Sequence, residues 1–171
     1  MSFSRQLKAW WQAIFPWIRV AILIAALAFV LQKGDGPPRY KVSGKARLVD
    51  GDSLFVDGLE IRLKHIDAPE GRQTCQRNKR DWRCGEEATS RLRSFIRRRK
   101  ISCKGNEYDR HNRLLAFCAV GGMEINKWMV QEGWAVAFGD YRSDERKAKR
   151  ARKGIWSSHF QRPRAWRAQQ R

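Results

Sequence analysis

Acidic side chains are scarce in this chain: 17 Asp and Glu stand against 36 Lys and Arg over 171 residues, a formal net charge of +19. That imbalance excludes an acidic surface, and it sets up a field that draws polyanions. Nucleic acid, anionic lipid headgroups and acidic proteins all qualify as partners on charge alone. Histidine is nearly missing too, with His65, His111 and His159 scattered, and no CxxC pair occurs. Zinc ligation, which needs closely spaced Cys or Cys/His pairs, is thereby excluded. The four cysteines fall in two local pairs, Cys75 with Cys84 and Cys103 with Cys118. In an oxidising compartment they are expected to form disulfides, each restraining the unfolded chain by about 3 kcal/mol. Unpaired buried thiols are the other reading. No internal repeat is apparent, and the length suits one domain with a short appendage.

Long hydrophobic runs are limited to one place. Ile14 to Leu31 is nearly all apolar, broken by Pro16 and Arg19, and its uninterrupted part, Val20 to Leu31, is short against the ~20 residues of a spanning helix. Arg19 can snorkel to the interface where Trp10, Trp11 and Trp17 are at home, which extends the usable length. We read residues 1–31 as a cytoplasmic stub and N-terminal transmembrane helix. A cleaved signal peptide stays open, because Ala26-Leu27-Ala28 resembles a processing site. Flanking cations, Arg5, Lys8 and Arg19 before the core and Lys33, Arg39 and Lys41 after it, nearly balance the positive-inside rule. With the N-terminus inside, the protein is a single-pass inner (cytoplasmic) membrane protein with its domain on the extracytoplasmic side, or is secreted after cleavage. Residues 32–39, rich in Gly and Pro, form a linker.

Beyond it, Tyr40 to Leu48, Ser53 to Val56 and Glu60 to Leu63 read as strands punctuated by the turn pairs Asp50-Gly51 and Asp57-Gly58. Glu86 to Arg99 reads as a helix with Ala88, Leu92, Phe95 and Ile96 on one face. Strands Ile101 to Lys104 and Leu114 to Val120 follow, then helices Ile125 to Glu132, capped by Gly133, and Ser143 to Arg152. Three strands, a helix and two strands predict an α+β fold, a five-stranded OB-fold β-barrel with three helices, over residues 40–160. Residues 161–171 read as a basic tail, mobile after Pro163 and able to rest on anionic lipid or on nucleic acid. Trp156 and Trp166 suit packing better than base stacking.

Because carboxylates are few, their placement is informative. Asp50 and Asp52 flank Gly51 in a turn, and Asp67 and Glu70 bracket Ala68-Pro69 after the third strand. Phosphodiester hydrolysis calls for a metal, cations to hold phosphate and a base to orient water, and hard oxygen donors suit calcium or magnesium. Arg62 and Arg113 offer forked phosphate contacts. Each feature alone has a plainer reading, as a turn or a solvated cation.

Together they resemble the staphylococcal nuclease family. Asp50-Gly51-Asp52-Ser53 is similar to its Asp-Gly-Asp-Thr motif, and Arg62 with Ile66-Asp67-Ala68-Pro69-Glu70 to its Arg followed by Val-Asp-Thr-Pro-Glu. Asp109-Arg110-His111-Asn112-Arg113 resembles its Asp-Lys-Tyr-Gly-Arg. Gly133-Trp134-Ala135 and Gly154-Ile155-Trp156 extend the likeness to Val42–Trp156. The resemblance implies calcium held by Asp52, Asp67 and the Ala68 carbonyl, with Asp50 nearby or acting through water. It makes Glu70 the general base and Arg62 and Arg113 the phosphate clamps of a monomeric nuclease. Cleavage of DNA or RNA with little sequence preference, leaving 3′-phosphate ends, is its implied activity. His111 and Asn112 depart from the usual Tyr and Gly; Asn tolerates a left-handed turn, whereas loss of the tyrosine removes a nucleotide contact that Tyr108 or Tyr141 would have to supply. A non-catalytic nucleic-acid-binding barrel and a membrane-surface protein using the tail are the alternatives.

Overall fold

Period-two burial marks the strands of the barrel. In β8 (Leu114–Val120) the side chains of Leu114, Ala116, Cys118 and Val120 are buried and those between are half-exposed, and in β7 (Lys100–Tyr108) Ile101, Cys103 and Gly105 point inward. Such alternation gives a strand one core face and one wet face. The computed structural model describes residues 18, 20–24 and 37–170. It divides into two units at Pro37 and Pro38. In the first, residues 18 and 20–24 are helical. The apolar run Ile14–Leu31 lies mostly outside the described residues, and among those described no helix is long and apolar enough to cross a membrane.

In the second unit β1 (Tyr40–Leu48), β2 (Ser53–Val56) and β3 (Leu59–Leu63) form an antiparallel meander, and β1 pairs on its other side with β7. Antiparallel β7–β8 and parallel β3–β8 pairing then close a five-stranded barrel, which the two-residue β9 (Met123–Glu124) extends. Closure satisfies the edge groups that an open sheet would leave bare. Leu54, Val56, Ile61, Leu63, Ile101 and Leu114 fill the interior. Against it pack α1 (Cys84–Ile96), with Ala88, Leu92 and Ile96 buried, and α2 (Ile125–Gln131), with Ile125, Met129 and Val130 buried. α3 (Arg142–Arg150) buries only Ala148.

The barrel agrees with expectation, and the departures have physical causes. β7 runs on to Tyr108 instead of ending at Lys104, because nine-residue β1 and then β8 supply partners and a bulge at Gly105/Glu107 absorbs the mismatch. α1 stops at Ile96, where Arg97 and Arg98 turn left-handed (φ 44° and 58°) and hand the chain to β7. The hairpin β5 (Cys75–Arg77) and β6 (Arg80–Trp82), and the short pair β4 (Ile66–Asp67) with β10 (Val136–Ala137), carry no sequence signal that we read. Both cysteine pairs are disulfides: Cys103–Cys118 joins facing residues of β7 and β8, and Cys75–Cys84 ties β5 to the start of α1. The C-terminal segment is a helix rather than a mobile tail: α4 (Pro163–Gln169) begins on a buried proline at its first turn, where the missing N–H costs nothing.

Candidate active site

Asp50 makes the first acidic turn by accepting the N–H groups of Asp52 (3.0 Å) and Ser53 (2.8 Å) on Oδ1. This is the Asx arrangement that makes Asp a turn residue. It delivers Asp52 to the head of β2 with its carboxylate buried, only 2% of the residue being exposed. There Oδ2 accepts the Ala68 N–H (2.9 Å) and Arg62 Nη2 (3.2 Å), while Oδ1 accepts the Ser53 hydroxyl (3.1 Å). The second acidic turn follows β4, and Gly51 lets the two meet. A Cβ there would stand 2.7 Å from the Ala68 Cβ, with Ala88 and Met129 behind it.

Arg62, in the parallel pair that closes the barrel, points its Nη2 at both turns, 3.2 Å from Asp52 Oδ2 and 3.0 Å from Asp67 Oδ1. Two buried carboxylates thus share one guanidinium nitrogen, and for Asp52 it is the one arginine contact found among the described residues. Burial pushes the Asp52 carboxyl up to about 7 despite Arg62 beside it, and the neighbouring Asp50 and Asp67 charges add to the rise.

Glu70 is carried on the loop between β4 and β5. Its N–H donates to the Oε1 of Gln73 (3.2 Å), and its carbonyl accepts the Gln73 N–H (2.8 Å). Gly85, in the first turn of α1, is the seat of this loop: an added Cβ would lie 1.7 Å from the Glu70 carbonyl oxygen. Gly85→Ala must therefore displace Glu70. A displacement of about 1 Å in a catalytic group costs on the order of 10²-fold in rate. We expect kcat to fall by that order while the Cys75–Cys84 bridge still forms, checked by steady-state kinetics beside a thiol titration.

Arg113 lies in the turn Asp109–Arg113, which Asp109 organises by accepting the N–H groups of His111 (2.8 Å) and Arg113 (3.0 Å) on Oδ1. Asn112 takes the left-handed position at φ 60°. Asp109 Oδ2 grips the guanidinium at Nε (2.9 Å) and Nη2 (2.6 Å), and these bonds hold the Asp109 carboxyl below its usual range against the opposing effect of burial.

A cleft of about 730 Å³ gathers Asp50, Arg62, Glu70 and Arg113 on its walls, together with Glu60, Asp109, Arg110, His111 and Arg167. Asp52 and Asp67 are not among its lining residues; both are bonded to Arg62, and Asp67 lines an adjoining cleft of about 530 Å³ with Arg62 and Arg167. Tyr108 and Tyr141 do not line it either: Tyr108 packs edge-on against Tyr40 at 5.1 Å, and the Tyr141 hydroxyl donates to Glu124. His111 takes their place at the rim. Trp156 packs edge-on against Phe160 at 5.1 Å.

The two carboxylates that the acidic turns bring together are hard donors that suit a hard cation, with Arg62 and Arg167 now bonded to them and burial disfavouring the charge on Asp52. Asp52 and Asp67 would be its side-chain ligands. Among the described residues, no three acidic, histidine or cysteine side chains stand close enough to encircle an ion. The other donors would be backbone, water or substrate oxygens. The Ala68 N–H donates to Asp52 Oδ2, which holds the two acidic turns together.

Sequence reasoning missed Gln73 and Arg167. Gln73 is wholly buried, and no motif marks it. Arg167, from α4, places Nη1 2.8 Å from Asp67 Oδ1 and 2.6 Å from Glu70 Oε1, with Nη2 3.2 Å from Asp67 Oδ2. It is one arginine in a basic tail, and only its distant partners distinguish it.

Residues 60–158 match the family model described as staphylococcal nuclease homologue. Among curated proteins the chain is 33% identical over 140 residues to the succinoglycan biosynthesis protein ExoI of Rhizobium meliloti, covering 77% of this chain and 73% of that one. It is 30% identical over 122 residues to an uncharacterized endonuclease of Escherichia coli O157:H7 (65% and 74% covered) and over 128 residues to endonuclease YncB of Bacillus subtilis (65% and 59%). The match takes in more than half of the chain, including the Arg62, Asp67–Glu70 and Asp109–Arg113 segments, so this protein belongs to the staphylococcal nuclease family and is a nuclease.

Proposed function

We propose that the protein is a calcium-dependent endonuclease that hydrolyses DNA or RNA phosphodiesters with little sequence preference, leaving 3′-phosphate and 5′-hydroxyl ends. The observation that carries this reading is the convergence of Glu70, Arg62 and Arg113 on one cleft, where Arg62 is also bonded to Asp52 and Asp67. A bound calcium ion would supply Lewis-acid polarisation and positive charge at those two carboxylates. Glu70 accepts a proton from the attacking water at its Oε atoms as the oxygen approaches phosphorus in line with the departing 5′ oxygen. Arg62 and Arg113 donate N–H groups to the phosphate oxygens and stabilise the charge that builds on them. The P–O5′ bond breaks, the 5′ oxygen gains a proton, and the phosphate stays on the 3′ side. No group in this set reads a base edge, which suits a sequence-tolerant enzyme.

Titration of calcium into chelator-treated protein tests the reading. Cleavage of single-stranded DNA should rise from background to saturation with calcium, vanish with excess chelator, and leave ends that a 3′-phosphatase can remove. Cleavage unaffected by the chelator would sink it.

The disulfides fit an oxidising compartment. With the apolar run Ile14–Leu31, they support a nuclease domain held on the extracytoplasmic face of the inner membrane by one helix, or secreted if that segment is removed. Membranes washed with alkaline carbonate should retain the full-length chain. Its release would count against the anchor.

A further inference from the structure

We propose that Arg167 is a third phosphate-binding arginine of the active site, carried in by the C-terminal helix α4 and engaging the same phosphate as Arg62. The proposal rests on the nuclease reading above and deepens it.

The guanidinium of Arg167 lies between the two acids with the clearest expected tasks. Its terminal nitrogens make three bonds, two to Asp67 and one to Glu70. It lines the 730 Å³ cleft and also the adjoining one of about 530 Å³, so it stands on the ridge between them. A strand crossing that ridge passes its phosphate over this side chain.

The three arginines differ in how free they are to take a phosphate. Arg113 has two nitrogens committed to Asp109 in the same turn. Arg62 has Nη2 shared between two buried carboxylates, and its side chain is 16% exposed. Arg167 is 34% exposed, and its partners belong to groups whose own tasks compete for them. A divalent cation on Asp67 repels a guanidinium bound to the same oxygens. Phosphate oxygens accept the same forked N–H pattern as carboxylate oxygens. The bonds to Asp67 and Glu70 in the substrate-free molecule are thus a resting place, from which the fork turns to a phosphate a short distance away.

The helix that carries it is seated on the domain. Pro163 at its start is buried, and the wholly buried Gln73 donates from Nε2 to the Gln161 carbonyl (2.6 Å) while its Oε1 accepts the Glu70 N–H. One buried amide thus mounts both the Glu70 loop and the approach to α4. That shared seat fixes Arg167 relative to Glu70 in a way a loose basic tail cannot.

Arg167→Ala and Arg167→Lys in the full chain test the proposal, each beside wild type and Glu70→Gln. Arg167→Ala should cut kcat/KM on single-stranded DNA by about 10²-fold, as for removal of one donor to a developing oxyanion. In a Glu70→Gln background, where binding is read without cleavage, it should also lower the slope of log affinity against log salt by about 0.7, the loss of one phosphate contact on a single strand. Arg167→Lys should restore the slope and only part of the rate, because a point charge replaces a fork. If Arg167→Ala does not fold, the Lys variant decides by the same two measures: full wild-type rate would overturn the proposal. Cleavage by Arg167→Ala as fast as wild type, or faster, makes Arg167 a plug and overturns it. Slower cleavage with an unchanged salt slope overturns it as well, because Arg167 would then act only through Glu70. If wild type fails to cleave in calcium, the underlying nuclease mechanism has failed instead.

Discussion

Glu70→Gln is expected to lower the cleavage rate by about 10²- to 10⁴-fold, the range for loss of a positioned general base. Glutamine keeps the shape of the side chain and can still accept the Arg167 N–H that now lies 2.6 Å from Glu70 Oε1. Its amide cannot take up a proton from water. The substitution therefore separates base chemistry from architecture. The loop is held by backbone bonds to Gln73 and by its contact with Gly85, neither of which involves the Glu70 carboxylate. The side chain is about a quarter exposed, so little stability should change, which thermal melting checks. The rate is best followed under calcium saturation, with substrate well above KM, so that weakened binding does not mimic lost chemistry. A Glu70→Gln protein that folds, binds DNA and cuts within a few-fold of wild type would remove Glu70 from the base role.

Arg62→Ala should be the most destabilising single change at the site, by about 3–5 kcal/mol at pH 8, because it strips the arginine from buried Asp52, while Asp67 keeps Arg167. Its effect should depend on pH, with a sign that follows from Asp52. In the folded protein that carboxyl is pushed up to about 7 from an ordinary value of 3.8. The folded state therefore holds its proton more tightly than the unfolded chain. The stability this confers is fully present below pH 3.8 and is lost as pH climbs toward 7. Arg62 opposes the shift, and its removal pushes the Asp52 carboxyl higher, so the variant loses more than wild type on the alkaline side. Urea unfolding without divalent cation should show a small difference between the two proteins near pH 4 and a large one at pH 8. A difference that is constant from pH 4 to pH 8 would mean that Arg62 does not compensate Asp52. Calcium should narrow the gap at pH 8 by supplying the missing charge.

Much of the barrel was legible because it is built from local signals. The alternation in Leu114–Val120, the Asp-Gly turns before and after Ser53–Val56, and the apolar face of Ala88, Leu92 and Ile96 each report on residues close in sequence. The acidic turns and the arginines were visible as candidates for the same reason. Elements imposed by distant partners were not: two-residue β4 exists because Val136 and Ala137 come to lie beside it, and β7 lengthens because β1 and β8 reach that far. Buried polar anchors were equally silent. Asn126 bonds the Cys118 N–H and the Lys64 and Ala116 carbonyls, joining α2 to β8 and to the turn after β3, yet nothing near it in sequence distinguishes it from a surface amide.

The sequence by itself determined the order of the five barrel strands and the first helices, the attraction for polyanions, and which few carboxylates and arginines were candidates for chemistry, because periodicity, turn residues and net charge are properties of short stretches or of the whole. Only the tertiary structure decided that Arg62 is shared between Asp52 and Asp67, and that Arg167, a hundred residues beyond Asp67, closes on Asp67 and Glu70. Ion pairing depends on distance and burial, and across such separations both are set by how the chain packs.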